Sequence, residues 1–173
     1  MDLLTPDKVV FLTSQAELLS GERAEFSDSL IHDSQTQLIH QTFELIEQQM
    51  RLLQLEALKI VDTFYFEKEF NKDDRGPMIL RVKPRDLISG TTFSVEWAVW
   101  KDGFGSHIKK GSQDRYPLMT VRKAKEWEKE CFKILEPQLE IIRKRVKALN
   151  RSREFLHTLK KLIEDQKNVQ ISD

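Results

Sequence analysis

Eight apolar positions recur along one stretch of the chain without a fault: Ile39, Phe43, Ile46, Met50, Leu53, Ala57, Ile60 and Phe64, spaced alternately four and three residues apart. Such a run is a heptad seam, and a chain that carries it is committed to a long helix with a buried stripe. Leu38, Leu45, Leu52 and Leu55 widen the apolar face beyond what one partner helix covers, so more than one neighbour, or a second copy of the chain, is expected against it. A second helical pattern starts near Thr120, the expected N-cap. It passes Trp127, Cys131 and Ile134 and continues through Leu135, Leu139, Ile142, Val146, Leu149, Leu156 and Ile163. Pro137 should bend or reset it, because proline removes a backbone donor and clashes with the preceding turn.

Between these patterns the periodicity changes to two. Phe93, Val95, Trp97 and Val99 alternate with Ser94, Glu96, Ala98 and Trp100, which marks a half-buried strand. Asp102-Gly103 is a tight hairpin signal and Phe104 to Lys110 the return strand, while Met78 to Val82 reads as a short first strand before a turn at Ser89-Gly90-Thr91. The expected fold is therefore α+β: two long antiparallel helices in a coiled-coil-like hairpin with an inserted three-stranded antiparallel β-meander, plus a short N-terminal helix. As one domain it divides into an N-terminal arm (1–34, with a short helix over Thr5 to Leu19 closed by Gly21), an acidic helix (35–70), the meander (77–111), a basic helix (120–164) and a frayed tail (165–173).

Net charge is zero, but residues 1–72 carry 6 Lys and Arg against 13 Asp and Glu, and residues 73–173 carry 22 against 15. Either the halves neutralise each other by packing, or the basic half faces a polyanion, and the two do not exclude one another. No apolar run is long enough to cross a membrane. The opening residues, Met1 to Asp7, lack the cationic start and apolar core of a secretory signal, and the lone Cys131 reads as a reduced core thiol, so a cytoplasmic location is expected.

No constellation suggests a reaction. His32, His40, His107 and His157 are scattered, no carboxylate is spaced with them for metal binding, and neither a phosphate loop nor a nucleophile elbow is present. Neither metal nor cofactor is expected, and Glu126, Glu128 and Glu130 read as a solvated face paired with Lys125 and Lys129. The cationic hairpin reads as binding chemistry instead. Lys101, Lys109, Lys110, Arg115, Arg122 and Lys123 face only Asp102 and Asp114 between positions 101 and 123. With His107, Trp100 and Tyr116 they suit phosphate contacts flanked by aromatic rings. The plainer reading is a charged edge that blocks strand-to-strand aggregation. Arg143, Lys147 and Arg151 share a helix face as a second basic stripe, which reads first as structural, a solvated face or partner to the acidic helix, and second as a further nucleic-acid face. Trp97 and Trp127 are assigned to the core and Trp100, out of phase, to the surface.

Residues 92–156 resemble the MobI-type conjugative transfer proteins. The resemblance rests on Val95-Glu96-Trp97, the hairpin end His107-Ile108-Lys109-Lys110-Gly111, Arg115-Tyr116-Pro117, Ala124-Lys125-Glu126-Trp127-Glu128, and the helix from Arg143 to Arg153. It implies a bacterial, non-enzymatic auxiliary factor that binds double-stranded DNA at an origin of transfer and helps a relaxase. The rival from another class is a scaffold protein, its heptad seams forming a homodimer or docking a larger partner without nucleic acid. An RNA-binding factor ranks lower, since the aromatic sheet signatures of common RNA modules are missing.

Overall fold

The computed structural model describes residues 28–87, 90–101, 104–108 and 114–171. Helix α1 spans Asp28–Phe70, strands β1, β2 and β3 span Met78–Leu87, Gly90–Lys101 and Phe104–His107, and helix α2 spans Glu126–Ile171. Short 3₁₀ turns occupy Lys72–Asp74 and Leu118–Val121. The class is α+β, with two long helices and one antiparallel sheet in the order β1-β2-β3. The expected short helix over Thr5 to Leu19 lies outside the described residues. The described residues fall into two compact units, Glu47–Ser152 and residues 28–46 together with 153–171.

In the unit Glu47–Ser152, Met50, Leu53, Ala57, Ile60 and Phe64 are all buried, as the heptad requires. They join Met78 and Leu80 of β1, Phe93, Val95 and Trp97 of β2, and Phe132, Leu135, Leu139, Ile142 and Val146 of α2 in one core. Trp97 is its centre, edge-on to Phe64 at 5.2 Å and tilted against Phe132 at 5.2 Å. Glu56 meets Arg145 at 3.0 Å, and Phe64, later on α1, stacks at 6.0 Å on Trp127, earlier on α2. Contacts thus ascend one helix as they descend the other, and one acidic-to-basic pairing between the chain's halves is made here.

The other unit repeats the seam at Ile39 and Ile46, which are buried, while Phe43 is half-buried with its ring 4.7 Å from that of His157. His32, Ser34 and Arg153 are buried polar residues, and the Ser34 hydroxyl donates to the Leu30 carbonyl at 2.8 Å.

Several expected boundaries move. Asp28 to Ser34, assigned to the arm, belong to α1, and α2 continues to Ile171 where fraying from 165 was expected. It also runs through Pro137 without interruption. Thr120 is not its N-cap but part of a 3₁₀ turn. The helix begins at Glu126, where the Glu128 carboxylate reaches back to the Lys125 amide at 3.0 Å, the reciprocal half of a capping box. The apolar phase of the first third of α2 is also different. Ile134 is 64% exposed, and the buried positions 128, 132, 135, 139, 142 and 146 follow the 4–3 spacing back from Leu139 to a glutamate.

Strand β1 extends five residues past Val82, pairing with β2 from Met78↔Val99 to Leu87↔Gly90. Pro84 sits inside it because β1 is an edge strand, with one side outside the ladder. The pairing Lys101↔Phe104 leaves a two-residue connection at Asp102-Gly103, as the hairpin signal implied, but β3 ends at His107 rather than Lys110.

Candidate nucleic-acid interface

The geometry beneath the hairpin is set by buried carboxylates. Glu136, on the inner face of α2, accepts the Trp97 indole N–H at 2.8 Å and the Tyr116 amide at 2.7 Å, and pairs with the Arg143 guanidinium. Arg143 in turn donates from Nε to the Asp114 carbonyl at 2.6 Å, and its guanidinium lies 5.0 Å above the Tyr116 ring. Asp114 takes up a left-handed conformation (φ 59°), and its carboxylate receives Lys147 Nζ at 3.3 Å. Burial pushes the Glu136 carboxyl above its ordinary range even though Arg143 and the two N–H donors oppose it. Burial also pushes the Tyr116 phenol up to about 12, again against Arg143. This network ties the segment that follows the hairpin to α2 and to the centre of the core.

Glu128 forms the second anchor. It is fully buried, with the Met78 amide on Oε1 at 2.8 Å and the Lys125 amide on Oε2. The reading of Glu126, Glu128 and Glu130 as one solvated face is therefore corrected. Only Glu126 and Glu130 are exposed, paired with Lys129 and Lys133 one turn on.

The face of the sheet turned away from the core carries the cations that sequence reasoning missed. On β1, Arg81, Lys83 and Arg85 alternate with the core residues Leu80 and Val82, opposite Glu96, Ser94 and Thr92 of β2. Glu96 is buried beneath them, accepting from Arg85 Nη2 at 2.7 Å and from the Ser94 hydroxyl at 2.8 Å, with Arg81 at 3.6 Å. One carboxylate against three cations leaves the row net positive. Trp100, at the end of β2 on this same alternation, is 57% exposed.

The residues singled out in the sequence fall in several places. Lys101 and His107 stand opposite Phe104 and Ala98 in the β2–β3 register. Lys109 and Lys110 lie outside the described residues. Arg122 and Lys123 are exposed in the turn before α2, and Arg115 is exposed with a 3.8 Å contact to Glu140. Tyr116 is a correction: at 2% exposure, with its ring under Arg143, it belongs to the core and is not placed to meet bases or sugars. Arg143 is another, since it is buried by its pairing with Glu136, which leaves only Lys147 and Arg151 exposed on the second basic stripe. Cys131 is half-buried, and burial, then Glu67, Glu128 and Glu130, push its thiol up. Among the described residues, no group of three or more His, Cys, Asp and Glu is placed to hold a metal ion, and no helix is long and apolar enough to cross a membrane.

No curated protein and no solved structure matches this chain. The family model described as MobI protein matches residues 53–157. The matched span takes in α1 from Leu53 and all of β1 as well as the region from 92 to 157, so it includes all of the core but Met50, both buried anchors and the cationic row together. With well over half of its length inside that match, the chain belongs to the MobI protein family.

Proposed function

We propose that this protein is a DNA-binding auxiliary factor of bacterial conjugation, acting in the cytoplasm at an origin of transfer and assisting a relaxase without catalysing a reaction itself. Membership in a family of mobilisation accessory proteins supports the setting. The observation that carries the DNA contact is the cationic row Arg81, Lys83 and Arg85 on the open face of the sheet, beside the hairpin whose strands bear Lys101 and His107. Lys109, Lys110, Arg115, Arg122 and Lys123 extend the phosphate-contacting set, and duplex DNA is the partner.

A salt titration of duplex binding tests this. Phosphate contacts release counterions, so affinity should fall steeply with salt, and each lost contact should flatten the log–log slope by about 0.9. Charge reversal at Lys109 and Lys110 should abolish binding while the helices stay folded, whereas reversal at Lys160 and Lys161 should change little. Origin-of-transfer DNA held equally well by the hairpin double variant, with transfer intact, overturns the assignment.

A second reading, a homodimer or scaffold built on a coiled-coil-like helical hairpin, draws on one observation: Leu45 and Leu52 are 60% and 58% exposed, and Leu38 is also exposed. Sedimentation distinguishes it. A monomer at tens of micromolar that Leu52→Glu leaves unchanged counts against self-association.

A further inference from the structure

Where the last turns of α1 approach the β1–β2 edge, a cleft of about 420 Å³ is lined by Lys68, Arg75, Gly76, Pro77, Ile79 and Trp100. Its composition is that of a site for a flat, anionic ligand. The Trp100 amide donates to the Pro77 carbonyl at 2.7 Å, which fixes the strand end, and its cross-strand neighbour on β3 is Gly105. A glycine there means that no side chain at the paired position covers the indole. Lys68 donates to the Met78 carbonyl at 2.6 Å, which holds its ammonium at the cleft with two N–H donors left for a ligand. Partial burial pushes the Lys68 ammonium below its ordinary range against the attraction of Glu128, and the neighbouring Arg75 pushes the same way as burial, so the two cations together favour an anion between them. Arg75 makes only a 3.8 Å contact with Glu69, both side chains well exposed, an interaction that a phosphate readily replaces. Pro77 and Ile79 supply an apolar floor.

We propose that this cleft holds one unpaired nucleotide of single-stranded DNA, its base stacked on Trp100 and its phosphate between Lys68 and Arg75. The inference deepens the DNA-binding reading and rests on it. Duplex DNA offers base edges and phosphates but not base faces, so an indole at a cleft can stack only on a base that has left the helix. Sequence-tolerant stacking with flanking cations is how single strands are held. It would let the protein keep hold of DNA once a strand has been nicked and begins to open.

The test uses the full chain and fluorescence anisotropy with a single strand of about 12 nucleotides and the duplex of the same sequence. Trp100→Ala should weaken single-strand binding by about tenfold or more and duplex binding by less than about twofold, while Trp100→Phe, which keeps a stacking face, should restore most of the loss. Arg75→Gln should weaken the single strand by several-fold and flatten its salt slope. Circular dichroism of each variant guards against unfolding, which the exposure of Trp100 and Arg75 makes easy to avoid. Equal loss on both DNA forms, or no loss on either, removes the cleft from the account. If that happens while reversal at Lys109 and Lys110 still abolishes duplex binding, the proposed function stands without it. A selective Trp100 effect with an inert hairpin leaves the cleft and discards the hairpin, and a parent protein that binds neither DNA form discards both.

Discussion

Glu128 occupies the space that a side chain at Gly76 would need: a β-carbon on that glycine would lie 1.9 Å from Glu128 Oε2. The carboxylate spans the Met78 and Lys125 amides, joining the start of β1 to the start of α2 across 50 residues of sequence. Gly76→Ala should expel it, stranding the buried Met78 amide and uncapping the part-buried Lys125 amide, and should cost about 2–4 kcal/mol in urea unfolding. In a Glu128→Ala background the same change should cost far less, because the two residues contend for one site. Additive losses would show that they do not.

The Glu136–Arg143 pair should behave as a buried ion pair whose halves cannot be removed singly. Arg143→Met leaves a carboxylate in the core, and a loss of about 3–5 kcal/mol is expected. Arg143→Met with Glu136→Gln should recover part of it, since the neutral amide removes the buried charge and its one oxygen still accepts from one of the two donors, Trp97 or Tyr116, which the carboxylate meets with different oxygens. A double variant worse than the sum of the singles would contradict this.

Alkaline pH should report on Tyr116. Its phenol titrates near 12 in the fold against 10.0 ordinarily. Below pH 10 both folded and unfolded chains keep the proton. Above it the unfolded chain loses it first, so stability falls as pH rises from 10 towards 12. The loss from this one group is on the order of 2–3 kcal/mol. Tyr116→Phe should show a correspondingly shallower decline, and parallel pH profiles for parent and variant would exclude the assignment.

Cys131 should react slowly. Its raised thiol leaves little thiolate at pH 8, and the side chain is partly buried against the core. Alkylation of the native protein should be at least about tenfold slower than in urea. Equal rates would mean that the helix does not shelter it.

The apolar periodicities carried most of the fold. Every position of the α1 seam from Ile39 to Phe64 is buried or half-buried, and Phe93, Val95 and Trp97 face the core as their alternation implied. Local spacing determines which face a residue takes, so it is legible locally. The buried glutamates were not, because the partners that draw them into the core, the Met78 amide for Glu128 and the Tyr116 amide for Glu136, lie 50 and 20 residues away, and a carboxylate among lysines reads as solvated. Two signals were nonetheless available. Glu128 falls on the 4–3 spacing counted back from Leu139, and a buried Trp97 indole requires an acceptor. Arg81, Lys83 and Arg85 escaped as a row because the first strand reads only to Val82, whereas β1 continues through Pro84, which an edge strand tolerates.

The outer edge of β1 is capped at its start. Glu128 takes the Met78 amide, Lys68 donates to the Met78 carbonyl and the Tyr65 oxygen engages the Leu80 amide, so side chains occupy ladder groups that an added strand would need. The opposite edge belongs to β3, only four residues long. A sheet with the start of one margin occupied and the other margin abbreviated is a poor template for fibril growth. A protein of this build can therefore reach high local density without its sheets fusing into aggregates.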